Sequence, residues 1–157
     1  MKQSLTPEKA FQKIKAFCAY QERGHREVAR KLYSYGLYKK DVEILLSQLI
    51  EEGFLNEERF AIAFAGGRFR IKHWGRVKIK YELQQKGVSN FCIILALKAI
   101  DEEEYIPTLQ QLATKKWESL KGEHYIARQG KTTAYLLQKG FEHTFVSKAI
   151  AAIMSKP

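Results

Sequence analysis

Apolar and polar positions along this chain repeat on two scales. On the short scale, apolar residues fall at i, i+4 and i+7, the spacing that places them along one side of an α-helix. Val42, Leu46 and Leu49 form one such stripe, Ile93, Leu97 and Ile100 a second, and Val146, Ile150 and Ile153 a third. On the long scale, each stripe begins six residues after a glycine, and those glycines, Gly36, Gly87 and Gly140, stand 51 and 53 residues apart.

Each of the three glycines predicts a helix end. A helix commonly closes with glycine in the left-handed conformation just past its last turn, and the residue after the glycine packs on an apolar residue of that turn. The pairs predicted by this register are Leu32 with Leu37, Leu83 with Val88, and Leu136 with Phe141. A fixed period near fifty residues predicts a repeat architecture. The expected units are 1–53, 54–100 and 101–157, each of three helices, so the fold class is all-α.

Within the first unit, Thr6-Pro7-Glu8 starts a helix that runs to about Gln21, because threonine caps, proline suits the first helical position and glutamate suits the positive end of the dipole. Helices over about 25–35 and 39–52 follow. Asn56 caps the next helix, with Glu57 and Glu58 in its first turn, and Ser89 caps the helix whose stripe ends at Ile100. Asp101-Glu102-Glu103-Glu104 opens the third unit, in which Pro107 sits in an early turn or kinks the helix. Helices over about 124–139 and 142–154 complete the nine. One passage is ambiguous. From Arg68 to Lys80, charged and apolar residues alternate on both sides of Trp74-Gly75, as in a half-buried hairpin. The repeat favours helix, since Ile79 and Leu83 precede Gly87 as Val28 and Leu32 precede Gly36.

Charge changes the picture from architecture to partner. The chain of 157 residues carries a formal charge of +10, which points to an anionic partner, nucleic acid before an acidic protein or a membrane surface. The charge is unevenly placed. Residues 41–58 hold six acids and no lysine or arginine, whereas residues 68–87 hold seven lysines and arginines against Glu82 alone. The candidate nucleic-acid or filament-binding residues are Arg68, Arg70, Lys72, Arg76, Lys78, Lys80 and Lys86. Of these, Arg68, Lys72, Arg76 and Lys80 recur every four residues and would form a ridge bent at Gly75, suited to tracking phosphates. Trp74, Phe69 and Tyr81 are candidates for stacking on bases. A weaker basic face is expected from Arg23, Arg26, Arg30, Lys31, Arg128, Lys131 and Lys139.

Signals of catalysis are missing. His25, His73, His124 and His143 are scattered, and no CxxC, HExxH, GxxxxGK or GxGxxG pattern occurs. The cluster 101–104 reads as a helix cap rather than a cation site. Cys18 and Cys92 lie among apolar helical neighbours, as reduced thiols in a cytosolic protein do. No apolar leader or membrane-spanning run is present, so a cytoplasmic protein with no catalytic residues, metal or cofactor is expected.

Glu27-Val28-Ala29-Arg30-Lys31-Leu32 is followed by Gly36, and Glu51-Glu52-Gly53-Phe54-Leu55 runs into Asn56-Glu57-Glu58-Arg59-Phe60-Ala61. With Lys72 to Arg76, Ile79, Glu82-Leu83 and Gly87, and with Gly140-Phe141, these segments resemble the RecX family of RecA regulators over residues 8 to 153. The Asn56 to Ala61 segment is the most specific. The resemblance implies three tandem three-helix repeats forming an elongated, curved array of right-handed helices. It also implies a monomeric, non-enzymatic regulator in recombination, DNA repair and the SOS response, which lies in the groove of the RecA–DNA filament and restrains its growth, ATPase and strand exchange, with single- or double-stranded DNA as a further partner. Two positions depart from the family pattern, which usually has serine near Gly24 and a polar cap near Tyr38; the segment from Arg128 to Thr133 matches loosely. An independent DNA- or RNA-binding helical module is the alternative that the basic helices alone support.

Overall fold

The structure, a computed structural model, describes residues 4–156. Among them are nine helices: α1 (Pro7–Tyr20), α2 (His25–Ser34), α3 (Lys39–Glu51), α4 (Glu57–Lys72), α5 (Arg76–Gln85), α6 (Asn90–Lys98), α7 (Glu102–Ser119), α8 (Tyr125–Gln138) and α9 (His143–Met154). The fold is an all-α helical repeat. The ambiguous passage from Arg68 to Lys80 is helical on both sides of a break, because helix places Phe69, Ile79 and Leu83 in the core together. The break begins two residues earlier than the glycine suggested. His73 takes the left-handed conformation (φ 58°, ψ 38°) as the cap of α4, and Gly75 is the N-cap of α5. Pro107 lies within α7, which continues unbroken to Ser119.

The expected caps form. Thr6, Asn56, Ser89 and Asp101 each accept a backbone N–H of the first turn that follows. Gly87 (φ 78°) and Gly140 (φ 97°) close their helices in full Schellman form. Val88 N donates to Leu83 O at 3.1 Å, and Phe141 N donates to Leu136 O at 3.2 Å. Gly36 (φ 87°) has the same conformation and carries the shorter bond, Gly36 N to Tyr33 O at 2.9 Å. In α3 the buried positions are Val42, Leu45 and Leu49, with Leu46 at the margin rather than at the centre of the stripe.

Burial divides into two clusters. One joins α1, α2 and α3 through Ile14, Val28, Leu32, Leu45 and Leu49, with Leu55 closing its base. The other runs without interruption from Phe60 in α4 to Ile150 in α9. The total accessible surface is 10034 Å², while a compact monomer of 18.2 kDa would expose about 8,100 Å². The excess means that the helices are laid out in an extended array.

A candidate nucleic-acid and filament interface

The conformation of His73 sets the geometry of the basic passage. Its left-handed turn directs Trp74 N back to Arg68 O at 3.2 Å and swings the Trp74 ring against the end of α4. Three cations gather on that ring: Lys78 at 4.5 Å from its centre, Arg68 at 5.5 Å and Lys72 at 5.7 Å. Arg68 also lies 4.6 Å from the Phe64 ring, which Lys86 approaches at 5.5 Å. Within the described residues none of these four cations makes an ion pair, and the Arg68 Nε is buried with no hydrogen-bond partner.

The strip continues into the neighbouring helices. Lys139 donates from Nζ to Lys72 O at 3.0 Å, and Lys116 and Lys139 lie 5.0 and 6.0 Å from the Tyr135 ring. In the other direction, Lys31 sits over Phe17 and Tyr35, and Lys13 also approaches Tyr35. A cleft between α2 and α5 places Arg26, Arg30 and Lys31 with Lys86. Cations interleaved with aromatic rings thus run through all three thirds of the chain. Such a surface offers phosphates unpaired positive charge and bases a π-face.

Not every predicted cation belongs to this strip. Arg76, expected on the ridge, turns inward instead. Its guanidinium donates to Leu97 O and Ile100 O at 3.3 and 2.9 Å, pairs with Glu102 and Glu142 at 2.5 and 3.7 Å, and stacks 3.9 Å from the Tyr105 ring. The reason is the break at His73, which starts a new helix with Arg76 at its first position, so a spacing of four cannot be carried across it. Arg70 pairs with Glu104 at 3.2 Å, Lys131 with Glu123 at 2.8 Å, and Arg23 with Glu27 at 3.3 Å while donating to Phe17 O. Arg128 packs on Trp117 and donates to its carbonyl at 2.8 Å. Lys80 is exposed. Of the stacking candidates, Phe69 is fully buried, Tyr81 is exposed and Trp74 is half-buried.

Phe64, Phe17, Tyr35 and Tyr135 were not among the stacking candidates. A signal for three of them was present, because Phe64–Arg68, Tyr135–Lys139 and Lys31–Tyr35 stand four residues apart, where side chains on a helix meet, whereas Phe17 meets Lys31 only through the packing of α1 on α2. The environment of Cys18 is the opposite of that of an activated nucleophile, because burial raises its pKa despite nearby Arg23. No group of three or more metal-ligating side chains occurs, and no helix is long and apolar enough to cross a membrane, among the described residues.

Comparison with known proteins bears on the same segments. Residues 56–97 match the family model for the second three-helix domain of RecX, and residues 102–150 match that for its third three-helix domain. A regulatory protein RecX of Clostridium tetani is 35% identical over 118 residues, covering 74% of this chain and 54% of the relative, so the chain spans about half of that protein's length. One from Chlorobium phaeobacteroides is 29% identical over 145 residues and is covered to 93%, with 92% of this chain matched. The crystal structure of RecX from Lactobacillus salivarius superposes with a TM-score of 0.86 at 22% identity, over 94% of this chain and 96% of that one.

Proposed function

The chain belongs to the RecX family of regulatory proteins, and from that premise we propose that it binds the RecA–DNA filament along its groove. There it restrains filament growth, ATP hydrolysis and strand exchange in recombination and DNA repair. The observation that carries this reading is the strip of unpaired cations over aromatic rings, from Lys31 past Lys86, Arg68 and Lys72 to Lys139. Its extended layout suits a repetitive polyanion better than a compact ligand. RecA as the partner comes from the family resemblance; the strip supports an anionic counterpart. The protein acts as a cytoplasmic monomer without catalytic machinery, through three units at 1–53, 54–100 and 101–157.

Titrating the protein into RecA on DNA, at two salt concentrations, tests this. The expected result is a dose-dependent fall in ATPase and strand exchange that weakens at higher salt. Unchanged ATPase at saturating protein would reject the reading. The strip also favours a second reading, an independent nucleic-acid-binding module, because its cations need only phosphates. That reading expects RecA-free DNA binding with a steep salt slope, reduced by about one for each of Arg68 or Lys72 changed to alanine.

A further inference from the structure

The first and second units enclose a cleft of about 700 Å³ between α2 and the end of α5. Arg26, Arg30 and Lys31 reach it from one side and Lys86 from the other, against Glu27 and Glu82. Arg30 and Lys86 are exposed and make no ion pair within the described residues. Like charges facing each other across a cleft repel until an anion enters. The helices of the two units, α1–α3 and α4–α6, share no hydrophobic cluster. Their joining contacts are mostly polar, and His25 Nε2 lies buried among them without a partner. Little apolar packing therefore fixes the angle between them, and a bridging anion would.

We infer that this cleft is a phosphate site built jointly by the first two units, that it takes a phosphodiester of a nucleic-acid strand, and that its occupation sets the angle between the units. The inference rests on the reading that the basic strip meets nucleic acid, and it assigns one phosphate of that strand to a place. Arg30 and Lys86 hold the phosphate from opposite sides, while Arg26, which donates to Gln85 O at 3.1 Å, maintains the approach of α2 to α5.

The test uses the full chain and a fluorescein-labelled oligothymidine, with Arg30→Ala, Lys86→Ala and the double variant. Circular dichroism checks that each folds. One shared phosphate predicts that the double variant binds about fivefold more weakly at 0.1 M salt, with a salt slope lower by about 0.7. Two separate phosphates would give roughly a twenty-five-fold loss and a slope lower by about 1.4, and would overturn the proposal, as would no loss at all. Dyes on Ser47→Cys in α3 and Glu118→Cys in α7, with Cys18 and Cys92 changed to alanine, report the angle. Saturating oligothymidine should narrow the transfer-efficiency distribution in the parent and not in the double variant; equal behaviour of the two sinks the idea. Inorganic tripolyphosphate serves as the other source of phosphate. If it narrows the distribution at concentrations as low as the oligonucleotide does, the ligand is free polyphosphate and the nucleic-acid assignment fails. RecA ATPase separates the two levels: oligothymidine binding with unaltered ATPase rejects the filament reading alone, while inhibition retained with uncoupled Arg30 and Lys86 rejects the cleft alone.

Discussion

Between the first and second units two hydrophobic clusters stop short of each other, and Arg59 pairs with Glu22 at 2.5 Å, Arg26 with Gln85 O, and His25 approaches Glu57 at 3.9 Å. Between the second and third a single cluster runs through, with Phe69, Tyr105 and Phe141 in ring contact at 5.5 and 5.3 Å. Backbone meets backbone there. Gly75 N donates to Lys139 O and Val77 N to Gly140 O, both at 2.8 Å. Tyr105 accepts from Arg76 N at 2.9 Å and donates to Glu142, and burial followed by that carboxylate pushes its phenol well above the ordinary range. The second junction is therefore a continuation of the core, while the first is a surface contact between two bodies. The difference teaches how one repeat can supply both a rigid spine and an adjustable end.

The sharpest break of this contrast is Gly140→Ala. A Cβ there would come under 3.0 Å from the Lys78 backbone nitrogen, at a φ of 97°. Left-handed strain of about 1–2 kcal/mol and overpacking of about 1–3 kcal/mol together predict a loss of about 3 kcal/mol or more in urea denaturation. Loss below about 1 kcal/mol would mean that the two backbones are not held together as described. Arg76→Met should follow at about 3 kcal/mol, since it removes the cation beside Glu142 and leaves the Leu97 and Ile100 carbonyls without their donor. It should leave the salt slope of DNA binding unchanged; a fall of about one would return Arg76 to the phosphate-contacting set.

At the first junction effects shrink. Arg59→Ala removes a half-exposed pair with Glu22 and a bond to Gly53 O, and should cost under about 1 kcal/mol. Hydrogen exchange should nonetheless show α1–α3 opening separately from α4–α9, more so in this variant. A single cooperative opening of all nine helices would erase the contrast. The smallest effect is acid sensitivity. Burial raises the Glu57 pKa, but hydrogen bonds from Ser89 and Cys92 and the His25 charge outweigh it, so the carboxyl lies below its ordinary value. A depressed folded pKa contributes stability that is present above the unfolded carboxylate pKa and is lost as pH falls through the folded one. The parent should therefore lose more stability than Glu57→Gln on acidification below about pH 4, and an identical acid profile for both proteins would remove Glu57 from the junction.

Most of the fold was legible because its signals are local. Helix number and type, the caps at Thr6, Asn56, Ser89 and Asp101, and the glycine endings all depend on residues within one or two turns. The candidate strip of cations over rings was legible in part. Lys72, Lys78, Lys86 and Lys139 lie on the strip, but Arg70, Arg76, Arg23 and Lys131 have carboxylates brought to them. Except for Glu27 those carboxylates are not helical neighbours, so the composition of the basic passage overstated its free charge. The segment Asn56 to Ala61 carried the most specific family signal, and the structure gives it work at the first junction. Asn56 caps α4, Glu57 accepts from Ser89 N, Arg59 reaches Glu22, and Phe60 packs on Gly24, whose added Cβ would meet the ring at 3.3 Å. That close approach suits glycine at the N-cap of α2.

The sequence by itself determined a chain of nine right-handed helices in register with three glycine endings, and an excess of positive charge concentrated in its middle. Both follow from short-range rules, helical periodicity and the count of ionised groups. Only the tertiary structure decided which cations stay free, which rings lie beneath them, and which of two similar junctions is a core and which a cleft. Those outcomes depend on carboxylates, rings and backbone segments tens of residues apart, such as Glu142 beside Arg76 and Gly140 against Gly75, and packing alone brings them together.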